Sequence, residues 1–146
     1  MNITVKETAF DSQAYRKALE LREELLRKPL GMKFTPEFLA DDSQDYHIAA
    51  FDIQNELVGC LQLKPLPDKA EIKMRQAAVD SRMQGQGIGA QMIAFAEEFS
   101  RNKGFKKMVL HARKHVISFY IKLGYSAVSD EFIEVGIPHK KMEKLL

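Results

Sequence analysis

The sequence predicts a mixed α/β (α+β) protein with a mostly antiparallel central sheet flanked by helices. Residues 46–79 contain three strand-like segments joined by short connections, the pattern of an antiparallel meander. Residues 71–112 have the pattern strand, helix, strand, and we expect its two strands to be parallel with a right-handed crossover. With 146 residues, 45% of them hydrophobic and 29% charged, the chain has the length and composition of one domain spanning residues 1–146.

The bulk composition indicates the setting in which the protein works. Its 22 basic and 20 acidic residues leave a formal net charge of +2, which favours neither a nucleic-acid nor a membrane partner. The N-terminus lacks the apolar core of a signal peptide, and no apolar run reaches the ~18 residues needed to cross a bilayer. The single cysteine, Cys60, cannot form an intrachain disulfide and is expected to be a small buried hydrophobe in a cytoplasmic protein.

The first half of the chain is predicted to contain a strand, a helix and a hairpin. A short alternation around Ile3 favours a half-buried strand. Alanine and leucine then recur at helical spacing over residues 12–28, and this helix should end before Pro29, because a residue ahead of proline is pushed away from helical geometry. Two strands at about 46–53 and 57–64 should form the hairpin.

Two connections in this half carry further expectations. The loop after the first helix is rich in apolar residues, including Met32, Phe34 and Phe38. They either line a pocket for an acceptor molecule or pack in the core, and core packing is the favoured interpretation. The second hairpin strand is expected to be broken by Pro65, Pro67 and Asp68, and a third strand should begin near Lys69.

The third strand has an internal irregularity. Its apolar residues Ile72 and Met74 occupy even positions, whereas Ala77 and Val79 occupy odd ones, so the two-residue period slips near residues 75–76. A β-bulge there would re-aim the following backbone N–H groups. A strand end buried on both faces explains the pattern equally well.

The C-terminal half continues with alternating helices and strands. The predicted elements are a helix from Ile88 ended by Gly104, a buried strand at 108–112, a helix at 115–123 ended by Gly124, a strand suggested by Val128, Phe132 and Ile133, a turn or loop at 134–139, and a closing strand at 140–145.

The run of residues 84–90 joins the third strand to the long helix and has the features of an anion site. The first turn of a helix has unpaired N–H groups and partial positive charge. Because Gly85, Gly87 and Gly89 have no Cβ, a pyrophosphate could approach the main chain closely. The alternative is that these glycines only permit a tight turn.

Two common phosphate motifs do not fit this run. A P-loop needs Lys followed by Ser or Thr after the last glycine, whereas Ala90 and Gln91 follow Gly89 here. A dinucleotide fingerprint needs Gly-x-Gly-x-x-Gly, whereas the spacing here is Gly-x-Gly-x-Gly. An unrelated nucleotide-binding module is therefore the least favoured interpretation.

Two motifs, which follow one another along the chain, resemble those of the GCN5-related N-acetyltransferase (GNAT) superfamily. The chain resembles a small bacterial member of that superfamily. Gln84, Gly87 and Gly89 match its coenzyme A loop, and residues 77–79 occupy the place of its acetyl-binding strand. Residues 119–125, Phe-Tyr-Ile-Lys-Leu-Gly-Tyr, match its next signature without gaps. The resemblance implies the acyl-CoA N-acyltransferase fold.

The resemblance also implies an activity and a co-substrate. The protein is expected to transfer an acetyl group from acetyl-CoA by direct attack to a primary amine of an acceptor, with a small molecule favoured over a protein. The implied cofactor-binding residues are Ala77, Ala78 and Val79, whose N–H groups would hold the thioester carbonyl, and Gln84, Gly85, Gln86, Gly87, Ile88, Gly89 and Ala90, whose main chain would cradle the pyrophosphate. Tyr120 is the implied acid that protonates the departing thiolate, unless its ring simply packs in the core.

No residue stands out as the base that removes the proton of the amine. The candidates are Glu71, His111, Glu131 and His139, each of which could border a cleft where the two central strands diverge. A water chain or an ordinary surface or packing role is the alternative for each. The four histidines have no metal-ligand spacing, so no metal is expected.

The sequence departs from the family pattern at the start of the loop. Gln84 replaces the commoner arginine and so removes a fixed positive charge near phosphate. Arg82 and Arg113 either compensate for it or are ordinary surface charges. The competing function is a catalytically inactive acyl-CoA-binding sensor of the same fold. A homodimer is the commonest symmetric assembly to expect.

Overall fold

The structure is a computed structural model that describes residues 2–68 and 70–146, without the side chains of Glu37 and Phe38. Its strands are β1 (Thr4–Thr8), β2 (Tyr46–Phe51), β3 (Leu57–Pro65), β4 (Glu71–Val79), β5 (Lys107–Arg113), β6 (Ser126–Ala127), β7 (Phe132–Glu134) and β8 (Ile137–Leu145). Its α-helices are α1 (Gln13–Arg22), α2 (Pro36–Leu39), α3 (Ile88–Asn102) and α4 (Ile117–Lys122). The expected strand start at Lys69 and the expected role of the Phe38 side chain fall outside the described part of the chain.

The strands form one sheet in the order β1-β2-β3-β4-β5-β8-β6, and β7 pairs with β8. The β4–β5 pair is parallel, with Glu71 opposite Lys107 and Met74 opposite Leu110. The pairs β1–β2, β2–β3, β5–β8, β6–β8 and β7–β8 are antiparallel. The predicted mixed, mostly antiparallel sheet is therefore confirmed.

The described chain divides into two compact units that each combine two segments. The first contains the residues up to Lys64 together with Gln76–Ala96, and the second contains Pro65–Arg75 and Glu97–Leu146. The expectation of one domain over residues 1–146 stays a prediction.

In the first unit, the predicted long helix consists of three helical types. Ser12 caps α1 by accepting a hydrogen bond from the N–H of Tyr15 at 3.1 Å. The α-helix gives way to a π-helical turn over Glu23–Arg27 and then to a 3₁₀ turn over Lys28–Leu30. Pro29 stands at the start of that 3₁₀ turn, where its missing N–H is not needed. The helical path therefore passes through Pro29, which the sequence pattern did not indicate.

The core of the first unit contains a buried polar network around Asp42. This carboxylate is fully buried and accepts hydrogen bonds from Tyr15 Oη (2.7 Å), Arg22 Nη1 (3.0 Å) and Gln62 Nε2 (3.1 Å). Burial by itself raises the pKa of Asp42, but these hydrogen bonds and the Arg22 charge outweigh it and hold the pKa below its usual value. Cys60 is buried as expected, and burial raises the pKa of its thiol to about 12.

One predicted strand boundary is confirmed and another is wrong. Strand β3 ends at Pro65, in agreement with the predicted break by Pro65, Pro67 and Asp68. The closing strand begins at Ile137 rather than Lys140, so most of the predicted loop at 134–139 belongs to a tight hairpin. Its turn residues, Val135 (φ +47°) and Gly136 (φ +78°), both have positive φ, as in a type I′ turn. Valine is a poor marker of such a turn, which is why the sequence did not reveal it.

Beyond α4, the expected strand around Val128 is displaced. Val128 itself lies between β6 and β7 and is 46% exposed, although its N–H donates to the Lys141 carbonyl at 2.9 Å. Strand β5 is the best-buried strand of the second unit, with Met108, Val109, Leu110 and Ala112 at 3% exposure or less.

Candidate active site

The glycine run of the first unit forms an exposed connection between β4 and α3. Gly85 (φ +80°) and Gly87 (φ +83°) have left-handed backbone conformations. A Cβ added at either position would meet no atom within 4 Å. The chain thus needs these glycines for conformation and not for close packing, and the space beside them is open.

The first turn of α3 presents main-chain donors next to this open space. The first helical hydrogen bond runs from the N–H of Gln91 to the carbonyl of Gly87 at 3.1 Å. The N–H groups of Ile88, Gly89 and Ala90 therefore precede the helical ladder. Ile88 is 1% exposed and anchors the turn in the core. Donors and helix dipole together make this turn chemically suited to an anion.

The side chain of Gln84 points back to the end of β4. Its Nε2 donates to the carbonyl of Val79 at 3.0 Å, across the turn that Asp80 caps. The nearby Arg82 is paired with Asp80, with Nη2–Oδ2 at 2.9 Å. Asp80 accepts from both the side chain and the backbone of Arg82, and these hydrogen bonds hold its pKa below the usual value. The Gln84 side chain thus links the loop to the end of β4 by a hydrogen bond. The positive charge of Arg82 is already paired with the Asp80 carboxylate.

The predicted irregularity of β4 is present at Gln76, whose φ is +56°. Beyond Gln76, Ala77 and Val79 were expected to form the buried apolar face, but both are only half-buried. Ala78 is buried instead, with 6% of its surface exposed. The buried residues Ile72, Met74 and Ala78 therefore all occupy even positions. The Gln76 Oε1 atom is buried and has no hydrogen-bond partner among the described residues, a feature that the sequence pattern did not single out.

In the second unit, Tyr120 lies on α4 with 8% of its surface exposed. Its ring contacts Phe119 and Tyr125 edge to face, at centroid distances of 5.2 and 5.6 Å. Its hydroxyl makes no hydrogen bond to any residue that the structure describes. Burial raises the pKa of Tyr120 to about 12, so the phenol remains a proton donor at neutral pH.

A half-buried ion pair fixes the end of α4. Tyr125 donates its hydroxyl hydrogen to Glu97 Oε2 at 2.8 Å, and Lys144 Nζ lies 3.0 Å from Glu97 Oε1. The same ammonium donates to the carbonyl of Leu123 at 2.8 Å. The signature residue Tyr125 thus holds the helix that carries Tyr120.

The four base candidates have different surroundings. His111 on β5 contacts Glu134 on β7, with Nδ1 and Oε2 2.8 Å apart. His139 is buried at 3%, and Glu131 is paired with Lys114 at 3.5 Å. Glu71 stands at the start of β4. Sequence reasoning missed Glu134, because the partner of His111 is 23 residues away and the β7–β8 hairpin was not predicted.

Several charged side chains act on the Glu134 carboxylate. Burial alone raises the pKa of Glu134, but the hydrogen bond from His111 and the charges of His139 and Lys73 outweigh it and hold the pKa below its usual value. Burial lowers the pKa of Arg113, and the Glu134 carboxylate partly offsets this effect. Arg113 therefore acts electrostatically on the same carboxylate.

The loop after α1 is only partly accounted for. Phe34 lies against the guanidinium groups of Arg22 and Arg27, 4.8 and 4.7 Å from its ring centroid. This is the packing role that the sequence favoured. Met32 is 42% exposed. Over residues 2–68 and 70–146 we find neither a cluster of three or more potential metal-ligating side chains nor a helix long and apolar enough to span a membrane.

Comparison with known proteins indicates the same protein family as the two sequence motifs. The sequence profile of the acetyltransferase (GNAT) domain matches residues 7–146. An uncharacterized Bacillus subtilis protein, YyaT, is 32% identical over 108 residues, which is 74% of this chain and 71% of YyaT. A candidate N-acetyltransferase of Lactobacillus plantarum superposes with a TM-score of 0.88 over 100% of this chain and 99% of its own, at 22% identity. A GNAT acetyltransferase of Elizabethkingia anophelis with acetyl-CoA bound has a TM-score of 0.71 over 99% and 96% of the two chains, at 23% identity.

Proposed function

The chain belongs to the GNAT acetyltransferase family, and from this premise we propose that it transfers an acetyl group from acetyl-CoA to a primary amine of a small acceptor by direct attack. The observation that carries the proposal is the open glycine turn before α3, with Gly85 and Gly87 in left-handed conformation and three main-chain N–H groups ahead of the helical ladder. Coenzyme A supplies the pyrophosphate that such a turn suits.

The co-substrate is bound by main-chain groups in this proposal. The N–H groups of residues 84–90 hold the pyrophosphate, and those of Ala77, Ala78 and Val79 hold the thioester carbonyl. The positive φ of Gln76 supports the second role, because it re-aims the backbone just ahead of these residues. Since Gln84 is tied to Val79 through its side chain, it contributes to phosphate binding through the backbone and by positioning the loop.

The chemical step needs an oxyanion donor and an acid. The donors stabilise the charge that develops on the carbonyl oxygen as the amine attacks. Tyr120 supplies the acid, and its pKa of about 12 keeps the proton on the phenol until the thiolate departs. Its hydroxyl is free of hydrogen bonds to described residues, so no competing partner holds the proton.

The test is turnover of acetyl-CoA with a panel of primary amines that includes amino sugars, polyamines, amino acids and short peptides, read as release of free thiol. We expect at least one small amine to accelerate thiol release. Tight acetyl-CoA binding without acceleration by any amine would instead support the inactive sensor. No acetyl-CoA binding at all would contradict both functions.

The binding half of the proposal has its own test in Gly87→Trp. A bulky residue with a Cβ is strained at φ +83° and fills the open space beside the turn, so we expect acetyl-CoA affinity to fall at least 10-fold by calorimetry. Gly31→Trp is the matched control, because Gly31 also has positive φ (+69°) and open space but lies in another loop. An unchanged affinity in Gly87→Trp would show that the turn does not bind coenzyme A.

A further inference from the structure

His111 and Glu134 form an isolated pair whose geometry suits proton transfer. His111 is the first residue of β5 beyond its last pairing with β4, Leu110 opposite Met74. Its Nδ1 lies 2.8 Å from Glu134 Oε2, and its ring contacts Phe132 edge to face at 5.0 Å. Two neighbours on β7 therefore fix the imidazole in one orientation.

The tautomer of this imidazole follows from its partner. An ionised carboxylate can only accept hydrogen bonds, and Glu134 is held in its ionised form by the His111 hydrogen bond and by nearby positive charge. Nδ1 must then carry the hydrogen, which leaves the lone pair on Nε2. Nε2 makes no hydrogen bond to a described residue, and the His111 side chain is 28% exposed. The basic nitrogen is thus unoccupied and accessible.

We propose that His111 is the general base of the reaction, with Nε2 taking the proton from the acceptor amine, and that Glu134 is a positioning residue that holds His111 in the required tautomer. This assignment rests on the proposed acetyl transfer. A carboxylate that orients a histidine is a recurring arrangement for a general base, because the negative charge also stabilises the imidazolium that forms.

The protons and bonds balance without a further reactant. An ammonium acceptor gives one proton to Nε2, and the free amine attacks the thioester carbon. The C–N bond forms and the C–S bond breaks, while Tyr120 gives its proton to the sulfur. The second proton lost by the nitrogen restores the phenol through solvent, and His111 releases its proton to solvent. The products are the acetylated amine, coenzyme A thiol and one proton.

Two of the other candidates, His139 and Glu131, fit this role less well. The Nδ1 atom of His139 faces the carbonyl of Ile137 at 2.9 Å, and its ring stacks on Phe132 in a position that is only 3% exposed. Glu131 is already paired with Lys114. Neither presents an unoccupied, accessible basic atom held by a second group.

Several charged groups act on the pair and bear on its pH dependence. Lys73 on β4 and His139 on β8 act on Glu134, which in turn acts on Arg113 of β5. Lys141 of β8 is the cross-strand neighbour of His111. Glu134 is the only acidic residue in this group of described side chains, so Glu134→Gln removes the one negative charge that contacts the imidazole.

The first test compares the pH dependence of kcat/KM for His111→Asn and Glu134→Gln in the full chain, with the best amine found for the wild type. We expect His111→Asn to lower kcat/KM about 100-fold or more and to abolish the acid-side limb of the profile. Glu134→Gln should lower it less and move that limb to lower pH, and Glu134→Asp should restore part of the loss. Acetyl-CoA affinity should stay the same in all three variants. The controls His115→Asn and Glu98→Gln change exposed residues and should leave both kcat/KM and acetyl-CoA affinity unchanged.

An acid-side limb that persists unchanged in His111→Asn would overturn the base role while leaving acetyl transfer intact. If the wild type acetylates no amine, the proposed function fails and the base role with it. A second measurement examines the pair without turnover: ¹⁵N shifts of His111 in the wild type at neutral pH should report hydrogen on Nδ1 and a lone pair on Nε2. Hydrogen on Nε2 would overturn the assignment whatever the activity.

Discussion

At the scale of single residues, the acid role of Tyr120 gives the sharpest expectation. Tyr120→Phe removes one oxygen from a buried ring that has no hydrogen bond to a described residue, so folding should be preserved. We expect kcat to fall about 100-fold with acetyl-CoA affinity unchanged. Because burial raises the pKa of Tyr120 to about 12, the wild-type rate should show no loss from phenol ionisation up to about pH 11. Tyr46→Phe is the control phenol, and an equal rate in Tyr120→Phe would remove the acid role.

The buried carboxylate Asp42 is expected to contribute strongly to the stability of the first unit. It accepts hydrogen bonds from three buried side chains, so Asp42→Ala leaves the Arg22 guanidinium in the core without its counter-charge. We expect the free energy of unfolding to fall by about 3–5 kcal/mol. The neighbouring Asp41→Ala, which removes only an exposed pair with Lys64 at 3.7 Å, should change it by less than about 1 kcal/mol. Urea unfolding of both variants measures the difference, and equal losses would contradict a special role for Asp42.

At the scale of elements, the parts of the fold that were predictable are those in which one local pattern dominates. The period of Ile88, Met92 and Ala96 identified α3, and Gly104 ended it where a left-handed residue (φ +93°) is needed. The glycine turn was found because its backbone conformation demands glycine. By contrast, the prediction of which residues are buried on β4 beyond Gln76 was wrong, because Ala77 and Ala78 are equally small and apolar and the sequence does not distinguish them.

The β7–β8 hairpin shows the same limit and provides a test. Its turn places Val135, a β-branched residue, at φ +47°, whereas such turns favour asparagine followed by glycine. Val135→Asn should relieve this strain and raise the free energy of unfolding by about 0.5–1 kcal/mol. Val128→Asn, at an exposed valine without positive φ, should give no gain. A loss of stability in Val135→Asn would show that packing of the valine outweighs its backbone strain.

At the scale of the whole molecule, local motifs and side-chain pairings between distant parts of the chain differ in how far the sequence predicts them. The motif residues were identified from the sequence because each signature is local. The pairing of His111 with Glu134 was not, since it depends on the register of β5 and β7 against β8. The Gln84–Val79 hydrogen bond is local in sequence, but it was not predicted either, because it follows from the path of the turn and not from residue type. The register of the sheet thus supplies a side-chain pairing that the local motifs do not indicate.

The response of the whole molecule to acid follows from its carboxylates. Asp42, Asp80 and Glu134 all have pKa values below the usual ones in the folded protein. A lowered folded pKa gives stability that is present above the unfolded value and is lost as pH falls through the folded value. With ordinary values of 3.8 for aspartate and 4.5 for glutamate, the free energy of unfolding should be level near neutral pH and decrease below about pH 4.5. Urea midpoints measured from pH 7 to pH 3 check this course.

Because Asp42 is the most deeply buried of the three, Asp42→Asn should reduce the loss of stability at low pH more than Asp80→Asn. An equal slope in both variants would show that other groups cause the acid sensitivity.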